Sequence, residues 1–180
     1  MGEKATRALR KQDSSLVVGA RLLKEHAVDA FFTAGNTGAA VAVALTVVGK
    51  LPGIDRAYIA VIMPTTEGEV VLMDGGATVD CKPRHFVEMA LMGSVYAKAR
   101  LKVESPRIAI LNVGEEDAKG SKVVKEAHEL IRQTDLNFLG NTEGDRLFAG
   151  ECEVILCDGF VGNVALKVAE SSVKFAFKLL

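Results

Sequence analysis

Short apolar runs alternate with longer stretches of helical periodicity along most of the chain, and the joints between them are rich in Gly and Asn. A chain that alternates strands with helices buries both faces of its strands best in one way: a doubly wound, mostly parallel α/β sheet with helices on both faces. Residues 14–26 read as a helix, with Asp13 as N-cap and Leu16, Val17, Ala20 and Leu23 on the apolar side. Residues 28–34, ending at Gly35, predict a buried strand, and the small apolar residues 37–49 a buried helix that Leu51-Pro52-Gly53 breaks. Residues 58–63 and 69–73 predict two strands with no room for a crossover helix, hence an antiparallel pair within a mixed sheet. Pro83 opens a helix that runs to about Arg100. Strands follow at 107–113, 136–139 and 153–157, with an amphipathic helix at 120–134 and a last helix from Val164 to the end. The polar lead-in at the start and the uncapped last helix predict one α/β domain over residues 1–180 that is incomplete at both ends.

Composition narrows the function. With 49% hydrophobic and 25% charged residues the chain is globular, and its net charge of -1 argues against a nucleic-acid binder. The longest apolar run, residues 39–48 interrupted by Thr46, is shorter than the roughly 20 residues of a membrane span. Met1 leads into charged residues, which predicts no signal peptide. Cys81, Cys152 and Cys157 form no C-x-x-C pair and read as reduced thiols of a cytoplasmic protein. His26, His85 and His128 have no metal-ligand spacing, so no metal is expected.

Ligands of open α/β sheets bind beyond the carboxyl ends of the strands, and this chain puts unusual polar loops there. In the first, Gly35, Asn36, Thr37 and Gly38 join a strand to a helix whose free N–H groups suit an anion; a plain capped turn fits the same residues. This loop matches neither the Walker lysine loop nor the dinucleotide fingerprint. The second loop, residues 73–83, carries Asp74, Asp80 and Lys82 among glycines. The third, residues 112–120, carries Asn112, three acids and Lys119, which suits phosphate as a point charge if it faces the cleft. The fourth, residues 157–163, carries Asp158, Gly159 and Asn163, whose amide suits a developing oxyanion or a helix cap. No Ser-His-Asp or Cys-His arrangement is present, and Cys157 is in no nucleophile elbow, so a mechanism without a covalent enzyme intermediate is the simpler reading.

Seven segments together carry a resemblance: Asp13-Ser14-Ser15, residues 34–39, Leu51-Pro52-Gly53-Ile54-Asp55-Arg56, Asp80-Cys81-Lys82-Pro83, residues 111–116, Gly140-Asn141 and residues 158–167. Their order and spacing resemble the acyl-carrier-protein-dependent phosphate acyltransferases (PlsX). The chain departs from that family's pattern at Ala57, Thr78 and Thr142, and lacks its N-terminal Asp-Ala-Met-Gly-Gly-Asp strand and its C-terminal part. The resemblance implies a homodimeric α/β fold similar to phosphotransacetylase and isopropylmalate dehydrogenase. It implies transfer of a long acyl chain from acyl-carrier protein to inorganic phosphate, with no cofactor, feeding phospholipid synthesis. It also implies cytoplasmic location with peripheral membrane contact just beyond residues 175–180. Carried over to this chain, Lys119 and Asn163 become the catalytic pair. Around them, Gly35, Asn36, Thr37 and Gly38 would supply the anion cradle, Asp74, Lys82, Asn112, Asp158 and Gly159 the supporting contacts, and Arg56 either an anion contact or a structural salt bridge. Three rival readings are a short-chain phosphotransacetylase using coenzyme A, a non-catalytic dimerising fragment, and a dehydrogenase-like nucleotide binder, the last disfavoured by the missing fingerprint.

Overall fold

A computed structural model describes residues 9–180; the polar lead-in read over the first residues lies outside them. The chain divides into two compact units between Ala57 and Tyr58.

The first unit is helical among its described residues. Helix α1 (Ser15–Lys24) is capped by Ser14, whose Oγ accepts from Val17 N–H at 3.4 Å, and not by Asp13. Val17 and Ala20 of α1 meet Val43 in a small core edged by Leu9, Leu16 and Val47. Helix α2 (Thr37–Val43) continues into a π-helical turn, Ala44–Val48. Only Val43 in this stretch is buried, so the helix is less enclosed than its composition predicted. The expected buried strand at 28–34 is not formed, and Phe32 is 89% exposed. A strand needs a hydrogen-bonded neighbour, and no other described segment of this unit is extended into one. Phe31 instead lays its ring on Gly19 of α1, where a Cβ would overlap it.

The second unit holds the sheet. Its elements are β1 (Ala60–Thr65), β2 (Gly68–Met73), α3 (Pro83–Leu101), β3 (Ile108–Leu111), α4 (Lys122–Arg132), β4 (Phe138–Thr142), a 3-10 turn (Gly144–Arg146), β5 (Val154–Leu156) and α5 (Gly159–Leu179). The strand order is β1-β2-β5-β3-β4, with β1 antiparallel to β2 and the other pairs parallel, as the mixed-sheet reading expects. Strand side chains alternate between two apolar layers, because successive Cβ atoms point to opposite faces. Val71, Met73, Ile108, Ile110, Val154 and Leu156 pack with Phe86 and Met89 of α3 and Ile131 of α4. Val70, Leu72, Ala109 and Ile155 pack on the other face with Leu147 and Cys157, and with Ala165 and Leu166 of α5. Each such fully buried side chain contributes roughly 1.5–3 kcal/mol, so the two layers dominate stability.

Helix α5 begins at Gly159, five residues before the expected start. Asp158 Oδ1 accepts from Phe160 and Val161 N–H at 2.9 and 2.8 Å, which makes it the N-cap. Gly162 reads as a breaker in sequence but is a packing site: a Cβ there would overlap the carbonyl oxygen of Asp74. Beyond the sheet α5 is poorly covered, and Val173, Phe175, Phe177 and Leu179 are exposed. Its amphipathicity suits core or dimer packing, and among the described residues no core covers this end. No helix there is long and apolar enough to cross a membrane.

The other ends of β3 and β5 are tied by an ion pair. Arg107 Nη2 reaches Glu153 Oε1 at 2.6 Å, Arg107 N–H donates to Glu153 Oε2 at 2.7 Å, and Nη2 also donates to Gly150 O at 3.1 Å. Burial acts to raise the Glu153 carboxyl, but the Arg107 hydrogen bonds and charge outweigh it and hold it below the ordinary 4.5. A carboxylate so depressed adds stability that is complete above pH 4.5 and lost as the pH falls through its folded value. The Arg107 side chain is 43% exposed, so Glu153→Gln should cost about 2 kcal/mol at neutral pH, less than a fully buried pair. Thermal melts of parent and variant should differ by roughly 4–8 °C at neutral pH and converge in acid. A difference that grows below pH 4.5 would contradict this assignment.

Candidate active site

Strands β2, β5, β3 and β4 run parallel, with Met73 beside Leu156, Leu156 beside Ile110, and Leu111 beside Thr142. Their carboxyl ends therefore lie along one edge, at about 4.8 Å per strand. The loops that begin at Asp74, Asn112 and Asp158 all leave from this edge.

The Asp74 loop is built around a fully buried carboxylate. Asp74 Oδ1 accepts from Ile59, Gly76 and Ala77 N–H at 2.9, 3.0 and 3.0 Å, and Oδ2 from Thr78 N–H at 2.6 Å. Asp74 therefore shapes the loop and has no free face for a ligand. Gly159 N–H donates to Thr78 O at 2.8 Å, which seats the start of α5 on this loop. One turn later Asn163 lies over Gly76, with its Nδ2 3.0 Å from where a Gly76 Cβ would stand. The Asn163 side chain is on the exposed side of the helix start, free of the capping role that Asp158 fills. Lys82 is exposed immediately before α3, and its N–H donates to His85 Nδ1 at 3.1 Å.

The Lys119 loop is pinned at several points. Asn112 Oδ1 accepts from Val113 N–H at 2.8 Å, and Asn112 Nδ2 donates to Lys119 O at 3.2 Å. Asn112 thus closes both ends of the loop. Gly120 has φ +90, and a Cβ there would press on the Asn112 side chain. Asn141 Nδ2 donates to Glu116 O at 2.8 Å. Asp117 is held by Arg132 Nη1 at 2.8 Å and lies 3.3 Å from Nε2 of the buried His128, at an angle that makes no hydrogen bond. Lys119 itself is half exposed, and its Nζ is 3.9 Å from Glu116, too long for a hydrogen bond. The ammonium is therefore on a fixed loop while its donors remain available.

The second unit thus brings Lys119, Asn163, Asp74, Asn112, Asp158, Gly159 and Lys82 to the loops of one sheet edge. Gly35, Asn36, Thr37, Gly38 and Arg56 belong to the first unit. There Asn36 Oδ1 accepts from Ala39 N–H at 3.0 Å and caps α2. Sequence reading named Gly140-Asn141 but not the bond of Asn141 to Glu116, and it did not connect Asp117 with Arg132 and His128. The positions of His128 and Arg132 one turn apart on α4 hint at a shared partner, but only the fold shows that it is Asp117.

The two buried cysteines, Cys157 at this edge and Cys152 at the opposite end of β5, are poor nucleophiles. Burial, with Asp158 and Asp74 nearby, pushes the Cys157 thiol well above its ordinary 9.0, and burial pushes Cys152 up to about 12. Cys81 is only half-buried, its Sγ 3.5 Å from Thr78 O. Alkylation needs the thiolate. Iodoacetamide under native conditions should therefore modify Cys81 first and leave Cys152 and Cys157 intact until the chain unfolds. Peptide mass spectrometry checks this, and Cys157 labelling ahead of Cys81 would reopen a covalent route.

Across residues 1–180 the chain matches the family described as fatty acid synthesis protein. The phosphate acyltransferase of Acidobacterium capsulatum is 51% identical over 181 residues, all of this chain and 54% of its own length. That of Thermodesulfovibrio yellowstonii is 44% identical over 180 residues, again all of this chain and 52% of its own. The chain spans about half the length of the curated relatives it matches. Among solved structures, the EutD phosphotransacetylase from Staphylococcus aureus is similar at a TM-score of 0.64 over 88% of this chain and 56% of that one. At 18% identity it is a likeness of fold, and it agrees with the α/β architecture expected from the sequence. The match along residues 1–180 means that the chain belongs to the family described as fatty acid synthesis protein.

Proposed function

We propose that this chain carries the reacting edge of an enzyme that moves a long-chain acyl group from acyl-carrier protein to inorganic phosphate. The products are acyl-phosphate and free carrier protein. The observation that carries this reading is the position of Lys119 on its loop and of Asn163 in the first turns of α5, both at one edge of the sheet, each with its polar head available and its backbone fixed by neighbours.

Phosphate is already anionic near neutral pH and needs little activation. One of its oxygens attacks the thioester carbonyl carbon, forming the new C–O bond and a tetrahedral oxyanion. Collapse breaks the C–S bond, and the departing thiolate takes a proton from solvent. In this scheme Lys119 holds phosphate and offsets its charge. Asn163 donates to the oxyanion from a helix start whose dipole favours negative charge. Holding both reactants against fixed donors lowers the barrier by several kcal/mol. Asp74, Asn112 and Asp158 keep the loops in place, and the Gly35–Gly38 turn of the first unit is assigned to anion binding. Acyl-phosphate made in this way feeds phospholipid synthesis, with the longer protein acting as a homodimer in peripheral contact with the membrane.

The test uses the protein together with the flanking segments its relatives carry. Thiol release is followed from long-chain acyl-carrier protein and from a short-chain acyl-coenzyme A, each with saturating phosphate. Faster turnover of the carrier-protein donor is expected. Preference for the coenzyme A donor would convert the reading to a phosphotransacetylase, and no thiol release from either would reject the enzyme.

A further inference from the structure

The loop that carries Lys119 is tied down on two sides. On the β4 side, Glu116 O accepts from Asn141 Nδ2 at 2.8 Å and from Lys119 N–H at 3.0 Å, so the Lys119 backbone is fixed through Glu116. The Lys119 stem then crosses Gly114, with its Cγ 3.0 Å from where a Gly114 Cβ would stand. On the α4 side the tie is Asp117, whose Oδ2 lies 2.8 Å from Arg132 Nη1. A shift of this carboxylate moves the backbone two residues from Lys119, and with it the stem over Gly114.

Behind the carboxylate stands the ring of His128, one turn before Arg132 on α4. His128 is 1% exposed, and neither of its ring nitrogens has a hydrogen-bond partner. The ring packs edge-on against Phe138 of β4, with centroids 5.0 Å apart, and Nε2 lies 3.3 Å from Asp117 Oδ1. A buried ring nitrogen without a partner is destabilising. An apolar side chain would fill the same place without that cost, so packing alone does not explain a histidine there. The carboxylate within reach is that of Asp117, and a small turn of its carboxyl group closes a charge-assisted bond from Nε2–H.

We infer that Asp117 is a positioning residue for Lys119, held from α4 by Arg132 and His128 together. The half-exposed Arg132 fixes one carboxylate oxygen, and the buried imidazole of His128 directs the other. The clamp sets where the Lys119 ammonium meets phosphate, and none of its three side chains is assigned a contact with substrate. The assignment rests on the role of Lys119 in the acyl-transfer reading above.

The test titrates inorganic phosphate calorimetrically into the longer form of the protein, and measures the KM for phosphate in thiol release from long-chain acyl-carrier protein. Asp117→Ala should weaken phosphate binding and raise its KM by about tenfold, with kcat at saturating phosphate within about twofold of the parent. The Asp117 side chain is 56% exposed, so the melting temperature should fall little. His128→Leu should raise the KM by about threefold or more, while its melting temperature holds or rises because leucine removes the unpaired nitrogens. A histidine that served packing alone would not separate the two. In a Lys119→Ala background, Asp117→Ala should have no further effect on the KM, because it acts through that lysine. Glu126→Ala, which breaks the exposed Lys122–Glu126 pair elsewhere on α4, is the control and should match the parent. Parental phosphate affinity in Asp117→Ala or in a folded His128→Leu, an equal further loss in the Lys119→Ala background, or no phosphate binding by the parent overturns the proposal. If His128→Leu does not fold, the two Asp117→Ala comparisons decide. Phosphate binding that depends on Asp117 without any thiol release would sink the proposed reaction and keep the clamp. Phosphate-dependent thiol release indifferent to Asp117→Ala would sink the clamp and keep the reaction.

Discussion

Asp74→Ala is expected to lower the melting temperature by about 15 °C. Asp74 is fully buried and accepts four backbone N–H bonds, three from the loop that supports the start of α5 and one from Ile59 just before β1. Alanine leaves those donors without a partner. At about 1–3 kcal/mol for each buried donor, discounted because three of the four bonds are only partly buried, the cost is about 5 kcal/mol. That is a large share of the stability of an ordinary domain, about 5–15 kcal/mol. Asp74→Asn keeps one acceptor oxygen but turns an N–H group on the backbone, so it should lose roughly half as much. The check is a pair of thermal melts. Both variants melting within about 3 °C of the parent would show that the carboxylate does not organise the loop.

Lys119→Ala and Asn163→Ala should behave in the opposite way, with stability almost unchanged and turnover reduced about a hundredfold or more. Lys119 is half exposed, and its one charge partner is 3.9 Å away, so its removal costs little in folding. Its loss should appear mainly as a raised KM for phosphate. Asn163 is also exposed, and its change should lower kcat at saturating phosphate, because an oxyanion donor acts only in the transition state. Steady-state kinetics in the longer form of the protein, with phosphate varied, separates the two. Near-parental rates in both variants would remove these residues from the site.

Much of the sheet could be read from the sequence because strand burial follows simple local patterns. Residues 69–73 and 153–157 are nearly continuous apolar runs, as expected of strands buried on both faces. The hairpin of β1 and β2 followed from spacing alone. The start of α5 was hidden because Gly159 and Gly162 look like helix breakers. Their helical use depends on the Asp74 loop lying against them, a long-range contact that no local rule reports. Residues 28–34 misled for the converse reason. Their pattern is that of a buried strand, but a strand is defined by its neighbour, and the first unit offers none among its described residues. In the candidate site, Lys119 and Asn163 could be singled out because polar residues at strand ends and helix starts are chemically distinctive. The Asp117 contacts with His128 and Arg132 were invisible because they join a loop to the side of α4. The role of Asp74 as an acceptor of four N–H bonds depends on a loop turning back on itself and on Ile59 lying beside it before β1.

The most direct measurement is the rate of thiol release from long-chain acyl-carrier protein with and without phosphate, in the longer form of the protein. The account predicts release that rises with phosphate to saturation, is negligible without it, and leaves acyl-phosphate as the product. Release that proceeds equally without phosphate, or that yields only free fatty acid, would contradict it.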